Sequence, residues 1–211
     1  MGTKFSTCVW VSVVGIASIF FGSKGYADTV ISVADFGLKP DTRENAVAYV
    51  QKAIEACRGK EPVTLVFPEG RYDFWPQYAH EKNYYETNTY DVFPKRLAML
   101  FEGLHNITVD GSGSQFIMHD RIQPITVENC DGVTLKNFSI DWDIPLTAQA
   151  RVTKVGSDFF EIEINVLESP YIIEDGKLVF VGEGWKSALG SMIEFESDTH
   201  FVVPGTGDLV L

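Results

Sequence analysis

HNITVDG, residues 105–111, is echoed 26 positions later by DGVTLKN, residues 131–137. Ile107, Thr108 and Val109 meet Val133, Thr134 and Leu135 in that alignment, with Asn or Gly at the corners. Between the two runs lie QFIMHD and PITVEN, two further short β-rich segments. A second echo sets GSQFIMHD, 113–120, against LKNFSIDW, 135–142, at an offset of 22. Short strands, Asn and Gly corners and a repeat in the twenties describe a chain wound into stacked coils, a β-solenoid. An antiparallel meander would instead be joined by tight two-residue hairpin turns.

A stacked solenoid leaves an open edge at its first coil, which must be covered. The sequence before the repeat supplies a cover. VISVADFGLKPDTRENAVAYVQKAIEAC, residues 30–57, reads as a short strand, a turn at Gly37, and a helix predicted over 43–57. Asp41 or Thr42 is the expected N-cap, with Glu44 in the first turn. Ala46, Val47, Val50, Ala53, Ile54 and Cys57 recur at helical spacing and form one apolar stripe. VTLVFPEGRYDF, 63–74, is a β-rich run broken by a Pro-Glu-Gly turn. After Pro145 the texture changes. ARVTKVGSDFFEIEI, 150–164, reads as two strands around Gly-Ser-Asp, and LVFVGEGW and SMIEFES follow with looser alternation. The expected organisation is a targeting segment over 1–27, cap and first coils over 28–145, and an antiparallel β module over 146–211 that stops in mid-strand.

The first 27 residues read as a secretory signal: Lys4, a mostly apolar run from Val9 to Phe21, and Gly25-Tyr26-Ala27 as the cleavage site. The run is shorter than the ~20 residues of a spanning helix. The expectation is export to the periplasm or beyond, with no membrane span after cleavage. Loss of Lys4 and Lys24 leaves 15 basic against 29 acidic residues, a net charge of −14. Such a surface repels nucleic acid and polyanionic glycans and favours a neutral partner. Cys57 and Cys130 remain after cleavage, too few for a disulfide framework, and are expected as thiols.

NFSIDWD, 137–143, carries the most suggestive acids. In a strand Phe138, Ile140 and Trp142 share one face, and Ser139, Asp141 and Asp143 the other. Acids two residues apart lie roughly 6.5 Å from each other along a strand. That matches the ~6.5–9.5 Å between acid and base in an inverting glycosidase. Any such pair on a strand would match equally well. Asp141 and Asp143 can therefore activate water, hold sugar hydroxyls, bind a cation or close the turn before Pro145. The segment 71–96 is rich in aromatics; Trp75, Tyr78, Tyr84, Tyr85 and Tyr90 offer faces for sugar stacking or for packing the loop itself. Trp75 directly follows a strand, which favours a structural role. Asn88, Arg96 and His119 complete the candidate sugar contacts, although a lone histidine at a strand end is more often hydrogen-bonded structure. No spacing of His, Cys or acids fits a metal motif.

ADFGLKPDTRENAVAYVQKAIEAC followed by VTLVFPEGRYDF resembles the opening of the pectate-lyase-like right-handed β-helices, with their D-F-G-x-x-x-D segment, capping helix and V-x-x-P-x-G-x-Y strand. The longer run from KRLAMLFEGLHNITVDGSGSQFIMHDR to VTLKNFSIDWDIPLTAQ is similar to glycoside hydrolase family 110, exported bacterial α-1,3-galactosidases acting on blood-group-B-type glycans. The resemblance covers nearly the whole mature chain and about the first third of a family member. It implies an all-β fold: a right-handed parallel β-helix with an N-terminal capping helix and an antiparallel β-barrel-like insertion. It also implies an inverting mechanism, a galactose-terminated partner, no cofactor, and catalytic carboxylates beyond residue 211. A polysaccharide lyase and a non-catalytic glycan-binding module are the competing expectations.

Overall fold

Parallel pairing dominates the first part of the chain. The computed structural model describes residues 29–84, 94–205 and 209–210, the last two in backbone only. The targeting segment and the candidates Tyr85, Asn88 and Tyr90 lie outside the described residues. β1 (Thr29–Ser32) pairs in parallel with β2 (Val63–Val66), Thr29 opposite Val63. A Pro-Glu-Gly turn leads to β3 (Arg71–Phe74), then to the short β4 (His80–Lys82) inside the aromatic segment and to β5 (Lys95–Glu102). The long β6 (His105–Met118) stacks in parallel on both β2 and β3, and β7 (Gln123–Glu128) stacks on β5. β8 (Asp131–Trp142) then lies in parallel on β6.

The 26-residue echo is a physical register: His105 faces Asp131 and Ile107 faces Val133, just as Leu97 faces Gln123 on the second sheet. The echo of 22 is not. Past Asp110 the register shifts, and Ser114 faces Phe138 while Phe116 faces Ile140, an offset of 24. An irregularity around Gly111 causes the slip; a Cβ there would lie 2.5 Å from that of Phe138. Because the error is an even number, the faces are kept.

α1 (Val47–Cys57) packs on β1, β2 and β5, and all six residues of the predicted stripe are buried. Its start differs from expectation. The helix begins at Val47 rather than at residue 43, and Asn45 Oδ1 accepts from the Val47 N–H. Asp41 is engaged elsewhere: its Oδ1 accepts from the Arg71 N–H at 2.9 Å. This tie holds the 38–45 segment against β3, next to Gly70, where a Cβ would meet Pro40 at 2.4 Å.

Inside the stack, aromatics fill successive levels. Phe67 lies 4.7 Å from Phe116, Phe74 5.7 Å, and Phe138 stacks on Phe116 at 4.7 Å. Phe138 thus points inward as expected, half-buried. Ile140, expected in the core, continues the inward row but is 38% exposed, because no further strand lies on β8 among the described residues.

The strands beyond Pro145 pair antiparallel. β9 (Arg151–Val155) pairs with β10 (Phe160–Glu163) around the Gly-Ser-Asp turn. β11 (Tyr171–Glu174), β12 (Lys177–Gly182) and β13 (Trp185–Ala188) form a three-stranded meander. β14 (Ser191–Met192) pairs with β15 (Leu209–Val210). No helix among the described residues is long and apolar enough to cross a membrane.

Candidate functional site

The parallel register places three of the candidate residues in one row. Phe74 faces Met118, which faces Trp142, so the next residues along the three strands are Trp75, His119 and Asp143. The backbone continues the ladder there, with His119 N–H donating to Phe74 C=O and Asp143 N–H to Met118 C=O. The Trp75 and His119 rings stack at 3.8 Å with 10° between planes. Asp141 belongs to a different row, opposite Ile117 and Asp73.

Around the His119 imidazole the charged groups converge. Nε2 is 2.9 Å from Asp73 Oδ1, and Nδ1 is 2.8 and 2.9 Å from the two oxygens of Glu183. Asp73 also accepts from Arg71, at 2.6 Å from Nη2 and 3.0 Å from Nε. Arg71 Nη2 donates a second time, at 2.7 Å, to Asp143. Arg43 stands 3.6 Å from Asp143 and 3.9 Å from Asp73. Asp73 and His119 are buried, Glu183 is about one third exposed, and Asp143 lies at the rim.

Burial alone would push the Asp73 carboxyl up, but the hydrogen bonds from Arg71 and His119 outweigh it and hold the group below its usual range. Arg71 is raised in turn, chiefly by its hydrogen bond to Asp73. His119, Asp143 and Glu183 bring one ligand atom each within 4.8 Å of one another, close enough to share a divalent cation. Arg71 and Arg43 already sit on Asp143, so the cluster reads as an ion-pair network.

The other candidates fall elsewhere. Arg96 lies with Trp75, Gln77, Tyr78 and Asp120 along an open depression beside the row, and pairs with Glu81 at 3.3 Å. Asp141 is exposed, and its Oδ1 accepts only from the neighbouring Trp142 N–H among the described contacts. Lys82 bridges Glu102 and Glu128, in-register neighbours on β5 and β7, at 2.7 and 2.9 Å, and the Tyr84 hydroxyl also donates to Glu128. Among the described residues the cysteines Cys57 and Cys130 are thiols. Cys57 is buried, which pushes it up to about 11, whereas Cys130 is only half-buried.

Arg71, Asp73 and Glu183 were not anticipated. Arg71-Tyr72-Asp73 had a signal, since residues i and i+2 of a strand share a face. Glu183 had none: it lies 64 residues from His119, in the turn between β12 and β13.

The sequence that builds this stack of parallel strands and the antiparallel module after it has known relatives. Residues 148–211 match the family described as GLAA-B beta-barrel domain I. Over 182 residues the chain is 60% identical to an alpha-1,3-galactosidase B of Bacteroides thetaiotaomicron, covering 86% of this chain and 30% of that protein. It is 37% identical over 210 residues to an alpha-1,3-galactosidase B of Phocaeicola vulgatus (97% of this chain, 33% of that protein). It is 35% identical over 169 residues to an alpha-1,3-galactosidase A of Shewanella woodyi (79% and 28%). By sequence the chain is related to the alpha-1,3-galactosidases of glycoside hydrolase family 110. It spans about a third of the length of the curated relatives it matches.

Proposed function

We propose that this chain is part of an exported enzyme that removes terminal α-1,3-linked galactose from neutral glycans with inversion. The 60% identity to an alpha-1,3-galactosidase B carries the reading. The net charge of −12 for the whole chain agrees with a neutral substrate rather than a polyanion. The stacked parallel strands are taken as coils of a right-handed β-helix and the antiparallel strands as a barrel inserted into it. In this reading the described residues form scaffold and rim. The carboxylates around the Trp75–His119–Asp143 row, Asp73, Asp143 and Glu183, are engaged by arginines or by the imidazole, which suits holding a surface in shape better than exchanging protons with a sugar. The acid and base are assigned to parts of the enzyme outside this chain. Asp141, free of ion pairs among the described contacts, is the residue here best placed to meet a sugar hydroxyl.

The test is a glycan panel offered to a version extended to the relatives' full length. Released galactose appearing first as the β-anomer supports the proposal. Unsaturated uronate would identify a lyase, and binding without turnover a recognition module. In that enzyme Asp141→Asn is expected to lower kcat/KM by about 1–3 kcal/mol, as for a lost charged hydrogen bond. The 211-residue chain alone is expected to release no galactose.

A further inference from the structure

We infer that His119 is an imidazolium clamp: protonated on both ring nitrogens, it pins the Glu183 turn of the antiparallel module onto the outward row of the strand stack. Donors and acceptors around the ring fix its protons. An ionised carboxylate only accepts hydrogen bonds, and a neutral imidazole has a single N–H to give. Both nitrogens of His119 face carboxylates, Asp73 at 2.9 Å and Glu183 at 2.8 Å. Asp73, held ionised by Arg71, must receive a proton from Nε2. If Glu183 is ionised as well, Nδ1 must donate too.

Charge points the same way. Asp73, Asp143 and Glu183 face the network, and Arg71 and Arg43 supply two cations against them. One carboxylate is left unmatched, and the imidazolium matches it. Asp120 lies against Gly184, where a Cβ would meet its carboxylate at 2.3 Å, and adds negative potential on the module side. The stacked Trp75 ring also favours a cation over its face.

Among the described residues, the His119–Glu183 pair is the ion pair that ties the module to the stack. Glu183 sits at the tip of the β12–β13 hairpin, while Asp73 and His119 belong to the stack. Gly184 is suited to the tip: its φ of +74° is one that few other residues adopt, and any side chain would strike Asp120. His119 is therefore a positioning residue. It sets where the module overhangs the row that carries Trp75 and Asp143.

The test uses the 15N-labelled chain at neutral pH. Ring-nitrogen spectra are expected to show both His119 nitrogens at shifts of the protonated form. Glu183→Gln should return one nitrogen to the unprotonated form and speed proteolysis near residues 146–150 by roughly 10-fold or more, as for loss of a charge-assisted hydrogen bond. Glu174→Gln removes an exposed ion pair with Lys186 on the same meander and should change neither reading. A single protonated nitrogen in the unmodified protein would overturn the inference, since it means a neutral ring accepting from a protonated Glu183. So would His119 shifts that respond to added zinc or calcium ions, which would make the cluster a metal site. Equal proteolysis of the Glu183→Gln and Glu174→Gln proteins would show that the clamp does not hold the module.

Discussion

The strand stack and the antiparallel module differ in what holds them. The buried apolar residues run from Ile31 to Ile122, and from the module Val179 alone joins them among the described residues. In the module Leu167 is 84% exposed, Val155 75% and Phe201 74%. Each parallel strand of the stack buries its inward row beside that of its neighbours, so every added level extends one core. The module's hairpins satisfy their backbone groups locally but enclose little volume, which leaves its position to polar contacts such as Glu183 with His119. A region with its own core resists surface changes and is broken from inside. A region without one is vulnerable where it is attached.

The largest expected effect therefore lies in the stack. Val50 is fully buried on the helix stripe, and Val50→Asp places an unpaired charge there. A loss of about 3–5 kcal/mol is expected in denaturant unfolding. Near-unchanged stability would mean that the helix can leave the stack without cost, and the contrast between the regions would fail.

Next comes the buried acid at the junction. Asp73→Asn removes the carboxylate that two cations share, at an expected cost of about 3 kcal/mol. The pH dependence follows from the sign of the shift. The folded pKa of Asp73 lies below its unfolded value, so this stability is fully present above the unfolded pKa of about 3.9. It is lost as pH falls through the folded pKa. Acid titration of unfolding free energy should accordingly be shallower in Asp73→Asn than in the unmodified protein.

Legibility followed the range of the interactions. The helix stripe was readable because 3.6-residue periodicity and core contact coincide at Ala46, Val47, Val50, Ala53, Ile54 and Cys57. The 26-residue offset was readable because parallel strands in register place like side chains on like. The helix start was misread because Asp41 has a tertiary use: it accepts from Arg71 N–H across 30 residues, a bond that outweighs its preference for capping. The offset of 22 failed at an irregularity, which shifts register without changing the face pattern. At the site, Trp75, His119 and Asp143 could be nominated singly, but their alignment depends on that same register. Glu183 enters from another layer of the fold, and nothing local in VGEGW marks it.

The i, i+2 acids of NFSIDWD give a smaller and internally controlled test. Asp143 binds Arg71 at 2.7 Å at a half-open rim, whereas Asp141 reaches only its neighbour's N–H among the described contacts. Asp143→Asn is expected to cost about 1 kcal/mol, discounted for solvent screening. Asp141→Asn should stay within about 0.5 kcal/mol in stability. Equal costs would show that register, rather than partner, decides the value of an acid at this strand end.

The smallest effect is expected where the module looks most apolar. Leu167 is 84% exposed in the turn between β10 and β11, where its backbone N–H donates to Asn165 Oδ1 and its side chain has little cover. Removing apolar surface that is already in water gains or loses almost none of the ~25 cal/mol per Å² that burial supplies. Leu167→Ser should therefore leave unfolding free energy within about 0.5 kcal/mol of the unmodified chain. The same measurement on Val50→Asp provides the scale. A loss above about 1 kcal/mol at Leu167 would mean that this side chain is covered in solution. The module would then own a core, and the contrast with the stack would narrow to one of degree.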